Sequence, residues 1–287
     1  MNTEKLFSPL VTCFPGFALG LTTAARQKRS SSKRRAVMLA SLVLAFASPA
    51  FAQGSSDYHK LEVFGGYSLG RFKSNTETSS FVDPSGQKTT FTDLCSKQTG
   101  DELGPNFQHY FCERRNFHGF DASMAYNLTR YFGLKIDVTG HYKNEQFVDV
   151  FPTPGGNVTF TINTRERVYN FLGGVQIKDN SKATRFKPFG HILAGAARYR
   201  SRIRQTVDVF PDFNFAVEDP VTSFAMKVGG GLDLRISRRV DLRLVEFDYN
   251  PIFAGDRRFK TIEGPLSFSS TGRTAQNYTI GFGIVFH

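Results

Sequence analysis

From about Tyr58 to Phe286 the chain alternates apolar and polar positions in short runs, and the last run is the clearest. In Thr274–Phe286, Tyr278, Ile280, Phe282, Ile284 and Phe286 share one face. Asn277, Thr279, Gly281, Gly283 and Val285 share the other. Strict alternation is the mark of a strand, because successive side chains leave a pleated backbone on opposite sides. The bulky residues form one ribbon, while glycine and amide groups on the other face would fill an apolar core poorly. That polarity suits a barrel with lipid outside and a polar lumen.

Seven further runs precede it: 58–71, 117–128, 131–142, 164–177, 187–204, 224–236 and 240–249. In the seventh the phase slips between Leu244 and Phe247, which a β-bulge near Val245 would repair. The eight runs predict an all-β fold, an eight-stranded antiparallel up-and-down transmembrane barrel. Long connections (72–116, 143–163, 205–223, 251–273) alternate with short ones (129–130, 178–186, 237–239). Of the nine prolines after Gln53, eight fall in or beside the long segments, which supports the strand assignment because proline cannot donate to a ladder. Alternating long and short connections predict long loops outside the cell, with short turns and both termini in the periplasm. A soluble lipocalin-like barrel would place its bulky residues inside and would need no such asymmetry.

Several stretches resemble the small outer-membrane barrels of bacteria, similar to the N-terminal half of outer-membrane protein A. They are F-G-G-Y-S at 64–68, G-F-D-A-S-M-A-Y-N-L-T-R-Y-F-G-L-K-I-D at 119–137, G-G-V at 173–175, and the closing strand. Thr279, Gly281, Ile284 and Phe286 look like the C-terminal signal read by the barrel-assembly machinery, with His287 as a small departure. The resemblance implies an outer-membrane location in a Gram-negative cell and a structural or surface-interaction role. The cell-wall-binding domain that accompanies the outer-membrane protein A barrel is not expected, since the chain ends at strand eight.

Composition then adjusts the picture. The chain has 287 residues and a net charge of +11. A basic run (Arg26–Arg35), an apolar run (Ala36–Ala47) and small residues before Gln53 read as a secretory leader over 1–52, the barrel domain being 53–287. Twelve apolar residues are too few for a spanning helix, which needs about 20. The leader holds seven Lys/Arg and one Glu, so the remainder carries +5, and no nucleic-acid partner is expected. Cys95 and Cys112 remain as an even pair, most simply a disulfide in the first long loop. No Cys-x-x-Cys or His/Cys cluster points to a metal, and no cofactor is implied. Gly65–Gly66 and Gly229–Gly231 lie inside strands without a following Lys-Ser/Thr, so they are not phosphate loops.

Glu62, Asp121, Lys135, Asp137, Lys227, Asp233, Arg235, Arg243, Glu246 and Asp248 all point inward on these phases. Both signs are present, as an interior only as wide as its side chains demands. A plug of salt bridges is favoured over a narrow channel. A lipid A deacylase or acyltransferase would need a nucleophile beside a base. No His-x-Ser occurs, and His141, above Thr139 and Asp137, is the one candidate base. Arg198, Arg200, Arg202 and Arg204 share one face of the fifth strand. They read first as a solvated rim pairing with Asp208, Asp212 or Glu218, and second as a contact to lipopolysaccharide phosphates. Outer-membrane lipid is the expected surrounding, and an extracellular ligand would act through the long loops.

Overall fold

The computed structural model describes residues 57–287 except 74–75, 83–87, 92–94, 97–104, 154, 209–213, 256, 264–266 and 273. The leader and Asp212 lie outside the described residues. The elements are β1 (Leu61–Lys73), β2 (Thr76–Val82), β3 (Lys88–Phe91), α1 (Pro105–Cys112), β4 (Arg114–Asn127), β5 (Phe132–Thr153) and β6 (Gly156–Lys178). There follow β7 (Phe186–Val207), β8 (Phe215–Arg235), β9 (Val240–Phe253), β10 (Arg257–Glu263), β11 (Ser267–Gly272) and β12 (Thr274–Phe286).

Eight of these strands close a ring, β1-β4-β5-β6-β7-β8-β9-β12, and β12 pairs back onto β1. All pairs in the ring are antiparallel. A walk across the ladders from Val285 passes Phe64, Ser123, Asp137, Leu172, Gly195, Ala225 and Ile252. It re-enters β12 at Ala275, ten positions from its start (285 against 275). Eight strands with that stagger lean about 40° from the barrel axis, as closure requires. Through the closed part of the ring each strand is thus paired on both sides, the condition for crossing lipid as strands.

Burial follows the expected inversion. On β12 Ile280, Phe282, Ile284 and Phe286 are exposed outward, while Asn277, Thr279, Gly281 and Val285 are buried inward. Leu134, Ile136, Phe171, Ile192 and Phe247 continue the apolar belt around the wall. Tyr126, Tyr131 and Phe186 border it toward the chain termini; Tyr67, Tyr142 and Phe224 border it on the opposite side. A wall apolar outside and charged inside belongs in an outer membrane. The slip foreseen near Val245 is real. Leu232 pairs Val245 and Asp233 pairs Arg243, so Leu244 and Val245 both face out and the alternation restarts.

Beyond the belt the expected loops need correction. The segments 143–163 and 205–223 are largely strand, since β5 and β6 run as one ladder to Thr153↔Gly156. Gly156 closes that hairpin at φ 121°, which a side chain would strain. The two other long connections hold α1, β2, β3, β10 and β11, joined as β8-β10-β11-β2-β3. Proline is also less excluded than expected: Pro152, Pro188, Pro220 and Pro251 lie inside strands. Pro220 pairs across to Arg200, but β9 pairs with β8 only from Phe224 on and β10 only as far as Glu218. It thus occupies an edge position, where a missing donor is tolerated.

Candidate functional site

The lumen at the end carrying the termini is packed with opposite charges. Arg243, on β9, is 1% exposed and sits at its centre. Its Nε and Nη2 donate to the Asp233 carboxylate at 2.8 and 3.1 Å, and its Nη1 donates to Glu246 Oε2 at 2.7 Å. The guanidinium lies between two aromatic rings, 4.0 Å from the centroid of Phe64 and 4.2 Å from that of Phe189. Glycines make room for those rings. A Cβ on Gly66 or Gly283 would meet Phe64 at 2.8 Å, and one on Gly231 would meet Phe189 at 2.9 Å. A planar cation held by a bidentate carboxylate and two π-faces is fixed in orientation as well as charge.

Lysines serve the other carboxylates. Lys227 Nζ reaches Asp137 at 2.7 Å, Asp121 at 3.2 Å and Asp248 at 3.6 Å. Lys135 reaches Glu246 at 3.0 Å. Lys178 bridges Glu62 (2.9 Å) and Asp233 (2.8 Å), and Lys187 holds Asp241 at 2.9 Å. Of the predicted network, Lys135, Asp137, Lys227, Asp233, Arg243, Glu246 and Asp248 are all brought together and buried. Arg235 is not. It ends β8 half-exposed, opposite Asp241 in register, and joins no ion pair among the described residues. Sequence reasoning missed Lys178, Lys187, His191 and Asp241, which stand at strand ends or where the phase was ambiguous. His191 Nε2 lies 3.0 Å from Asp248. Two acidic groupings, His191–Glu246–Asp248 and Asp121–Asp137–Glu246, have donor atoms close enough for a metal. Lys227 and Lys135 already occupy the cation's place in both.

His287 explains its own departure from the closing pattern. Its ring turns into the mouth and stacks on His59 at 4.1 Å, with Nε2 2.8 Å from Asp241 Oδ2. Phe286 is thereby left as the last outward aromatic. His59 precedes β1, outside the spanning strands. Burial, followed by the neighbouring His287 and Lys187, lowers its pKa to about 4.

Farther out, His141 meets a serine that its own strand does not supply. His141 Nε2 and Ser68 Oγ are 3.0 Å apart, both groups fully buried, with Phe72 5.1 Å from the ring. Nδ1 of His141 has no hydrogen-bond partner among the described residues, and Asp137 is turned to Lys227. An apolar layer of Phe72, Phe117, Val168, Leu193 and Ile252 follows. Phe72, Phe117, Val168 and Ile252 of this layer line a small open recess together with Arg115 and Glu166. Above the recess Arg115 binds both Glu145 and Glu166 at 2.6 Å and lies 4.4 Å over the Tyr110 ring. Tyr110 comes from α1, and its hydroxyl reaches Glu166 (3.4 Å) and Ser201 (3.2 Å). Burial and the Glu166 charge push that phenol's pKa well above its ordinary value. Cys95 and Cys112 are bonded, and Cys112 is the last residue of α1, so the crosslink tethers the helix that supplies Tyr110.

The four predicted arginines are exposed on the outer wall of β7. Arg200 pairs with Glu218, as expected of a rim contact. Directly opposite them on β6 stand two more exposed arginines, in the pairs Arg167↔Arg200 and Arg165↔Arg202.

No family model matches the chain, and no curated protein sequence matches it. Among solved structures it is similar to the outer membrane protein OprG of Pseudomonas aeruginosa: 12% identity, 79% of this chain and 95% of that one covered, TM-score 0.41. It is similar to the outer membrane protease OmpT of Escherichia coli: 11% identity, 83% and 99% covered, TM-score 0.43. It is also similar to Ail, the attachment invasion locus protein of Yersinia pestis: 10% identity, 78% and 98% covered, TM-score 0.35. With TM-scores below 0.5, the barrel assignment rests on the chain's own pairing and burial.

Proposed function

We propose that this outer-membrane barrel is sealed by its paired lumen charges and acts through its extracellular crown, with a structural or surface-interaction role. Arg243 carries the reading: a cation boxed by Phe64, Phe189, Asp233 and Glu246 fills the bore and cannot move without stranding two carboxylates. A transport path would instead line its charges along water. The F-G-G-Y-S and 119–137 segments fall in β1 and the β4–β5 hairpin, which supports kinship with the outer-membrane protein A barrel. The Ser68–His141 pair is given a packing role, because it is buried and nothing among the described residues orients the imidazole for base catalysis. The leader is removed before Gln53 in the same reading, as N-terminal sequencing of the exported protein checks. The test of the seal is conductance: the folded barrel in planar bilayers passes no stepwise current, and proteoliposomes holding it do not swell in small sugars. Regular channel steps from unmodified protein would sink the reading.

A further inference from the structure

The lumen's cations are paired; on the outer wall Arg165, Arg167, Arg198 and Arg202 have no ion pair among the described residues. Arg165 and Arg167 on β6 and Arg198, Arg200, Arg202 and Arg204 on β7 are all exposed on one outward face. In register, Arg167 stands opposite Arg200 and Arg165 opposite Arg202. Like charges directly opposite on neighbouring strands destabilise a sheet. Arg200 is relieved by Glu218, and Arg204 is engaged within the protein. Arg165, Arg167, Arg198 and Arg202 have no ion pair among the described residues, so no described acidic residue neutralises these four.

Its position names the counter-charge. Arg198 stands opposite Tyr169, whose ring packs edge-on against Tyr142 at 5.7 Å on the upper margin of the apolar belt. The arginines begin where the acyl chains of the surrounding lipid end and its headgroups begin. Neighbouring strands lie about 4.8 Å apart, and same-face residues along a strand about 7 Å apart. Arg165, Arg167, Arg200 and Arg202 thus form a compact quadrilateral of forked donors, matched to phosphate oxygens that a guanidinium takes two at a time. We propose that this face of the β6–β7 hairpin is a binding site for the phosphorylated headgroup of an outer-leaflet glycolipid, with Arg165, Arg167, Arg198 and Arg202 as its principal ligands. The inference rests on the outer-membrane placement of the barrel, and the test separates the two.

The experiment uses the full folded barrel in detergent and measures retained lipid by native mass spectrometry. The probes are bisphosphorylated lipid A and the same lipid with both phosphates removed. The barrel should prefer the phosphorylated form. R165Q/R202Q should weaken that preference about tenfold, the loss of one or two charge-assisted contacts, and R165K/R202K should keep part of it. Equal retention of both lipids, or an unaltered preference in R165Q/R202Q, overturns the site. Soluble pyrophosphate that displaces lipid A at equal concentration also overturns it, because the site would then serve free phosphate. Heat-dependent gel mobility monitors the barrel in each sample. A variant that keeps that mobility and loses lipid A supports the site, whereas wild-type protein without it contradicts the membrane reading itself. Should R165Q/R202Q not fold, R198Q, outside the opposed pairs, carries the same comparison.

Discussion

On β6 and β7 the inner and outer walls carry similar side chains under opposite conditions. Inward, Lys178 lies within 3 Å of Glu62 and Asp233, and Lys187 within 3 Å of Asp241. Outward on the same two strands, Arg165 faces Arg202 and Arg167 faces Arg200. A buried charge must find its partner within the chain, because leaving it alone in a low dielectric costs several kcal/mol. An exposed charge faces only the modest penalty of repulsion in water, and the molecules around it can relieve that. Pairing inside therefore reports on the fold, and unpaired clustering outside reports on the surroundings.

Removing one inner cation should have the largest effect. Lys227→Met leaves Asp121, Asp137 and Asp248 facing one another, and should cost about 3–5 kcal/mol in urea unfolding. Adding Asp137→Asn should recover part of it. A loss under about 1 kcal/mol, the range of exposed pairs, would mean that water reaches this layer. Cys95→Ser comes next. It should remove about 3 kcal/mol of loop-closure restraint from the crown alone. Amide exchange should therefore quicken in α1 while the β12 core stays protected. Equal quickening in both would show that crown and barrel open as one unit.

The mouth supplies a smaller, pH-dependent effect. His59 is held neutral when folded, with its pKa lowered from 6.5 to about 4. Below pH 6.5 the unfolded chain binds a proton that the folded one refuses. Stability present above that pH should fall as pH drops toward about 4. His59→Phe should flatten that slope, and an unchanged slope would assign it elsewhere. Smallest should be Arg165→Gln, within about 0.5 kcal/mol as for other surface changes. A larger loss in lipid-free detergent would show that the outer arginines are structural after all.

How much of this could be read in advance depended on whether a residue's role was periodic or tertiary. β12 was found to the residue, and Leu244–Val245 betrayed the bulge, because lipid on one side and charge on the other impose a period of two. Past Tyr142 that contrast ends. Asn144 and Gln146 face out where there is no lipid to exclude polarity, so β5 and β6 continued as strands that looked like loop. Nine of the ten charges placed inward by phase alone are buried in the lumen, and Arg235 failed because it stands where the strand leaves the plug. The Arg243 box needed Phe64 and Phe189 from β1 and β7, a meeting that only barrel closure creates. Ser68 reached His141 in the same way, past the intervening β4.

The seal is tested most directly by Arg243→Ala, measured both for its urea midpoint and for single-channel current in the same preparation. A structural plug predicts a loss of about 3–5 kcal/mol, recovered in part when Asp233→Asn is added, with no stepwise current from the unmodified barrel. A variant as stable as the parent, conducting with altered ion selectivity, would contradict it and make these charges a permeation path.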